Sequence, residues 1–164
     1  MKDGMKIEGR VSWVLRGSDG QLKASGVNHN IVTDKGDALF ASLAYTAAPT
    51  FQIKLGKTAT APSKTFNNAG AYIPNADSEA DAQRAMDATY PKVGGAANVT
   101  RYRTSYGAGV ATGVWNRAAL VDATESDPAD GTLTYAIALL EDRPVPKALL
   151  DTLEVTWEIE FTGA

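Results

Sequence analysis

Two stretches of the chain alternate apolar and polar residues with a period of two. Near the N-terminus Met5, Ile7, Val11, Trp13 and Leu15 share one face, with Gly9 filling a slot, while Lys6, Glu8, Arg10 and Ser12 share the other. At the C-terminus Leu153, Val155, Trp157, Ile159 and Phe161 alternate with Glu154, Thr156, Glu158 and Glu160. Successive side chains of a strand point to opposite faces, so both stretches predict strands with one buried and one wet face. Gly17-Ser18-Asp19-Gly20 supplies turn chemistry after the first stretch, and Gln21 to Val27 reads as the returning strand of a hairpin. The polar faces of the two terminal strands differ in sign, Lys6 and Arg10 against Glu154, Glu158 and Glu160. Opposite charges stabilise cross-strand neighbours, so the two ends of the chain are predicted to pair side by side.

Between these ends the pattern is weaker. Thr33-Asp34 offers an N-cap before Lys35 to Tyr45, where Ala38, Leu39, Ser42 and Leu43 trace an apolar stripe, and this predicts one short helix. Phe51 to Leu55 reads as a short strand, and Gly56 to Ala71, rich in Lys, Thr, Ala, Pro and Asn, as a long loop. Asp77 to Ala88 has helical composition without a defined face, which predicts irregular or briefly helical chain. Val99 to Tyr106, Val114 to Asp122 and Thr132 to Glu141 read as further strands, separated by Gly107–Gly113 and Glu125–Gly131. One short helix and about seven or eight strands predict a mainly β chain, an antiparallel β-sandwich or barrel, in a single domain over residues 1–164.

Composition then narrows the chemistry. The 164 residues include 16 Lys and Arg, 19 Asp and Glu, one His and no Cys, for a net charge of −3. Without Cys there is no disulfide scaffold, thiolate zinc site, iron–sulfur cluster or cysteine nucleophile, and one His leaves no His-rich metal site. Mild acidity argues against a broad nucleic-acid footprint. The longest apolar run, Tyr135 to Leu140, is far short of the roughly 18 residues of a membrane helix, and Glu8 and Arg10 interrupt any secretory apolar region. No cofactor, nucleic acid or membrane partner is expected.

Individual motifs favour the bland reading. Gly56-Lys57-Thr58 ends like a phosphate-binding loop, but Phe51 stands where that loop needs its first glycine. Gly107-Ala108-Gly109 with Gly113 is one residue longer than the dinucleotide fingerprint and reads as a turn with positive φ. Asp77, Glu79 and Asp81 have the spacing of a calcium loop, yet Ala82 replaces its glycine and Ala88 its bidentate glutamate. Glu125, Asp127 and Asp130 likewise read as a solvated acidic turn beside Pro128 and Gly131. His29 lacks a nucleophile motif such as Gly-x-Ser-x-Gly and is expected to be structural or surface polar. Asn98-Val99-Thr100 matches a glycosylation acceptor and reads simply as strand sequence. No catalytic or metal-binding residue is assigned, and the chain is not expected to be an enzyme. Trp13 and Trp157 are expected in the core. Arg101, Arg103 and Arg117, interleaved with Tyr102 and Tyr106, form the local basic cluster expected at a protein interface, together with Trp115, Lys57 and Lys64.

Several segments resemble a group of tailed-bacteriophage virion proteins. They are the N-terminal hairpin, Asn30-Ile31-Val32-Thr33-Asp34-Lys35-Gly36 leading into Ala38-Leu39-Phe40-Ala41, Ile53-Lys54-Leu55-Gly56 before Ala61-Pro62-Ser63, Tyr106-Gly107-Ala108-Gly109 with Ala111-Thr112-Gly113, and Leu153 to Ile159. Their order spans nearly the whole chain. The resemblance implies a structural role on the virion, in a group that includes capsid decoration (cement) proteins and tail or fibre components. The leading expectation is a capsid decoration protein with a jelly-roll-like sandwich, assembling as a homo-oligomer, a trimer by analogy, on the major capsid protein. That expectation places the protein on the capsid surface of a particle assembled in the host cytoplasm, with contacts in Met1 to Gly4, Lys57 to Asn75, Arg101, Arg103 and Arg117. The alternatives are a tail, baseplate or fibre-associated structural protein, or a carbohydrate- or receptor-binding module stacking sugars on Trp115, a platform that requires Trp115 to be exposed.

Overall fold

The computed structural model of the chain describes residues 6–65, 82–125, 133–140 and 144–162. The described chain runs β1 (Lys6–Arg16), β2 (Leu22–His29), β3 (Ile31–Val32), α1 (Asp34–Ser42), β4 (Phe51–Gly56), β5 (Gln83–Ala85), β6 (Lys92–Val93), β7 (Val99–Tyr106), β8 (Gly113–Trp115), β9 (Arg117–Asp122), β10 (Thr134–Leu139), β11 (Val145–Lys147) and β12 (Thr152–Thr162). One five-stranded sheet has the order β2-β1-β12-β7-β6, a second has β3-β10-β9-β4-β5, and β11 pairs with β8. The fold is therefore mainly β, with antiparallel sheets and one short helix, as the pattern predicts.

The terminal strands pair along their full length, from Lys6 opposite Thr162 to Arg16 opposite Thr152, and Arg10 stands opposite Glu158. The expected hairpin joins β1 to β2 through Gly17–Gln21, where the Gly20 amide donates to the Gly17 carbonyl at 2.9 Å. Gly20 adopts φ +78°, a conformation that favours glycine. On the inner face Val11, Trp13, Leu15, Leu153, Val155, Trp157 and Ile159 are buried in one core with Ile53, Leu55, Leu120 and Ala138 of the second sheet. Among the contacts that tie the sheets across that core, Trp13 Nε1 donates to the Leu140 carbonyl at 2.8 Å, Tyr106 Oη donates to the Ile53 carbonyl at 2.8 Å, and Phe51 packs edge-on to Tyr102 at 5.0 Å.

The second sheet is covered on its outside as well. Helix α1 packs against β10 and β3, and the loop after β4 lies against β9 through Arg117. All five residues from Arg117 to Val121 are buried, and so are those from Thr134 to Ala138. Strands buried on both faces read as continuous apolar runs rather than alternation. That is why Tyr135 to Leu140 forms the longest such run while the first sheet alternates.

Several elements differ from the sequence expectations. The stretch Val114 to Asp122 is two strands in different sheets, broken at Asn116, whose amide donates to the Gly56 carbonyl at 3.0 Å and draws the chain across to β4. Gln83–Ala85 is an edge strand on β4 where irregular or helical chain is expected, and its partner rather than its own propensity makes it extended. The short strands β3, β6 and β11 carry too few residues for a period to show. Helix α1 forms where expected, with Thr33 capping the Gly36 amide, but it ends at Ser42 and buries Gly36 and Phe40 most deeply, while Leu39 and Leu43 of the expected stripe pack part-buried against the core and Ala38 is exposed. The reason is the close docking of its first turn: Thr33 Oγ1 donates to the Thr134 carbonyl at 2.6 Å, and a Cβ on Gly36 would collide with the Tyr135 carbonyl oxygen.

That docking reverses an ordinary substitution. Gly→Ala inside a helix normally stabilises by about 1 kcal/mol. Gly36→Ala is instead expected to destabilise by about 1–3 kcal/mol, because backbone on a central strand has to shift to admit the methyl. A denaturant titration reads the sign directly, and a rise in midpoint contradicts the packing described.

Candidate functional site on the outer face of the first sheet

The face of the first sheet turned away from the core is polar, and cross-strand register builds it in rows. His29 of β2, Arg10 of β1, Glu158 of β12, Arg101 of β7 and Lys92 of β6 stand in one row across all five strands. Glu158 is its centre. Arg10 Nε bonds one carboxylate oxygen, and Arg101 Nε donates to the other at 2.8 Å. The Glu158 side chain is only 11% exposed beneath these two guanidiniums. Burial alone raises its pKa, but the hydrogen bonds and charges of Arg10 and Arg101 outweigh burial and hold the carboxyl below its ordinary 4.5.

The next row carries Arg103, whose Nε donates to Asp87 Oδ2 at 2.8 Å and whose second nitrogen lies 3.5 Å from Glu154. Asp87 also accepts from the Ser105 amide at 2.9 Å and the Ser105 hydroxyl at 2.8 Å, which fixes the loop before β6 against β7. Tyr90 on that loop is flanked by two cations, Lys92 Nζ at 4.4 Å and the Arg103 guanidinium carbon at 4.7 Å from its ring centre. A shallow groove of about 440 Å³ runs between Val27, Tyr90, Arg101, Arg103 and Glu158. A larger cleft of about 850 Å³ opens on the other side of Arg10 and Arg101, toward His29, Asn30 and Lys64. The Asn30 side-chain amide is buried there beside Gly9, with no hydrogen-bond partner among the described residues.

Of the residues predicted from sequence, this face brings together Arg101 and Arg103. Trp115 and Arg117 are not on it, nor on any surface, which corrects the expectation. Trp115 is fully buried, its Nε1 donating to the Ala111 carbonyl at 2.9 Å, so a sugar-stacking platform on it is lost. Arg117 is 1% exposed and donates from Nε to the Thr58 carbonyl at 2.8 Å and from Nη2 to the Thr60 carbonyl, pinning the loop after β4. Lys57 lies in that loop with its ammonium 5.9 Å from the Trp115 ring, and Lys64 donates to Asp37 Oδ2 at 2.6 Å on the first turn of α1. These two lysines belong to the loop over the second sheet.

Glu125 is a further correction, being 6% exposed rather than solvated: its carboxylate accepts from the Leu133 amide at 2.9 Å. Gly109 has the expected positive φ, +77°, in the turn after β7. The expected contacts at Met1 to Gly4 and in residues 66–75, and the acidic groups Asp77, Glu79, Asp81, Asp127 and Asp130, lie outside the described residues. Among the described residues no group of three His, Asp or Glu side chains converges, and no helix is long and apolar enough to cross a membrane. The sequence reading missed Tyr90, Lys92 and Asp87 as parts of the site; period and register reveal Arg10, but nothing local marks the loop before β6. No protein-family model matches the chain, and neither a curated protein nor a solved structure does.

The shared carboxylate sets two expectations. Arg10→Glu and Glu158→Arg each destabilise, the second more because it places three guanidiniums together. Their combination recovers only part of the loss, about 0.2–1 kcal/mol, since Arg101 still faces a second arginine. A double-mutant cycle by denaturant melts measures this, and zero coupling removes the ion pair as a contributor. Because the folded pKa of Glu158 lies below its unfolded value, its contribution is present above about pH 4.5 and is lost as pH falls through the folded pKa. Glu158→Gln is therefore expected to flatten the acid limb of a stability-against-pH curve; an unchanged limb contradicts the assignment.

Proposed function

We propose that the chain is a bacteriophage capsid decoration protein that binds the outer surface of the assembled head and stabilises contacts between major capsid subunits. The observation that carries this reading is the open outer face of the first sheet, where Arg10, Arg101, Arg103 and Lys92 surround Tyr90 and Glu158 on paired strands. Arginine and tyrosine are the residues that anchor protein interfaces. Here ion pairs and ring contacts already restrict their rotamers, so docking loses less side-chain entropy. The reading also rests on the order of virion-like segments along the sequence.

The mechanism is mass action. A protein that binds across neighbouring subunits only in the assembled shell stabilises that shell by RT ln(1 + [L]/Kd) per site. It needs no bond-making chemistry and no cofactor. Lys64, which lines the cleft beside Arg10 and Arg101, extends the contact at its rim.

Sedimentation of the purified protein with heads and, separately, with tails of the phage that encodes it tests the proposal. Binding to heads is expected, weakened about tenfold or more by Arg101→Ala with Arg103→Ala, as truncated anchors cost over 1 kcal/mol each. Binding to tails alone, or to neither, overturns it.

A further inference from the structure

The two five-stranded sheets have four edges, and three of them are short. Strands β6 and β3 are two residues long and β5 is three. The fourth edge, β2, is eight residues, Leu22–His29. Natural sheets blunt their edges with short strands, proline, or unpaired charges, because a row of free backbone groups is a template for another strand. Strand β2 contains no proline, and its one full charge, Lys23, is tied to Asp151 at 2.8 Å.

The phase of the β1–β2 ladder shows which groups face outward. The Asn30 amide donates to the Gly9 carbonyl at 3.1 Å, in the same register as Arg10 opposite His29. Antiparallel pairs alternate between bonded and non-bonded, so Asn28 and Gly26 bond β1 while His29, Val27 and Ser25 turn their N–H and C=O groups away from it. The His29 amide is already taken by Asn28 Oδ1 at 2.9 Å. Ser25 and Val27 remain, two residues apart, with no partner for these groups among the described residues. Val27 is 68% exposed and Leu22 58%, and the register shift at Leu15/Arg16 places both on the outer face.

We infer that the β2 edge pairs antiparallel with β2 of a second copy of this chain, about a two-fold axis through Gly26. Ser25 of one copy then exchanges two backbone hydrogen bonds with Val27 of the other, and the symmetric pair exchanges two more. The strand is complementary to itself in phase and in charge: with Lys23 neutralised, pairing brings no uncompensated like charges together along Ala24 to Asn28. Gly26 on the axis has no side chain to obstruct it. Its identity is imposed from within, since a Cβ there would lie 2.6 Å from Trp13 Nε1. Such an isologous contact makes pairs, in place of the trimer that the resemblance implies. The inference stands on the free chain and not on the capsid reading, so either can fail alone.

Light scattering on the purified chain at about 100 μM is expected to give about 35 kDa, twice the 17.3 kDa of one chain. Val27→Pro removes an outward N–H without touching the β1–β2 ladder and is expected to give a folded monomer, judged by near-ultraviolet circular dichroism. The Cys-free sequence allows an independent trap that does not depend on that variant folding. Ser25→Cys with Val27→Cys is expected to form a disulfide-linked dimer under mild oxidation, while either single substitution does not. A monomeric wild type, a folded Val27→Pro that remains a dimer, or no cross-link in the double variant overturns the pairing.

Discussion

The pairing of the chain's two ends is the constraint on which the rest of the fold depends. It joins residues as far apart as Lys6 and Thr162, 156 positions in sequence, and runs the whole eleven residues of β1. Closing so long a loop is less unfavourable than its length suggests, since each doubling adds only about 0.6 kcal/mol. What holds the closure is that both faces of the ladder agree on one register. The inner face sets Val11 against Trp157 and Trp13 against Val155, while the outer face sets Arg10 against Glu158. A slip by one residue would turn the tryptophans to water and the charges to the core, so the register has no near competitor.

The clearest signal in the sequence follows from that one-sided burial. The first sheet has a dry face and a wet face, and its long strands announce themselves by period two. Strands β9 and β10 of the second sheet are dry on both sides and read as apolar runs whose partners have to come from tertiary structure. The breaks are where pattern fails. Asn116 separates β8 from β9 by bonding across to the end of β4, and no feature of Val114 to Asp122 signals a change of sheet. Gln83–Ala85 is a strand because β4 offers it a ladder.

The candidate site was half legible for the same reason. Arg101 and Arg103 alternate with Tyr102 and Thr104, and period two places both arginines on the wet face. Arg117 looks like their neighbour in sequence, yet it belongs to a strand buried on both sides, where its guanidinium is consumed by the Thr58 and Thr60 carbonyls. Trp115 sits at the end of β8 with its ring inside. Sequence proximity grouped the three arginines, and the crossing between sheets separates them. Tyr90 and Lys92 reach the site through Asp87, which binds Arg103 and Ser105 and so brings in a loop with no pattern of its own.

The polar face and the free edge are two aspects of one sheet, and geometry links their consequences. A two-fold axis that joins β2 strands by hydrogen bonds stands perpendicular to the sheet, because paired residues keep their side chains on the same face. Two copies joined this way would form one ten-stranded sheet with both arginine faces on the same side. A surface carrying repeated subunits would then meet two identical contacts at fixed spacing. The second contact forms at the effective concentration set by a rigid sheet rather than by free diffusion, and overall binding exceeds that of either face when the spacing matches. The His29–Arg10–Glu158–Arg101–Lys92 row runs across the strands toward the β2 edge, so pairing would carry it toward its counterpart in the second copy. A protein with one histidine, no cysteine and a nearly balanced charge thus has a physical route to avid binding that uses only backbone pairing and arranged side chains.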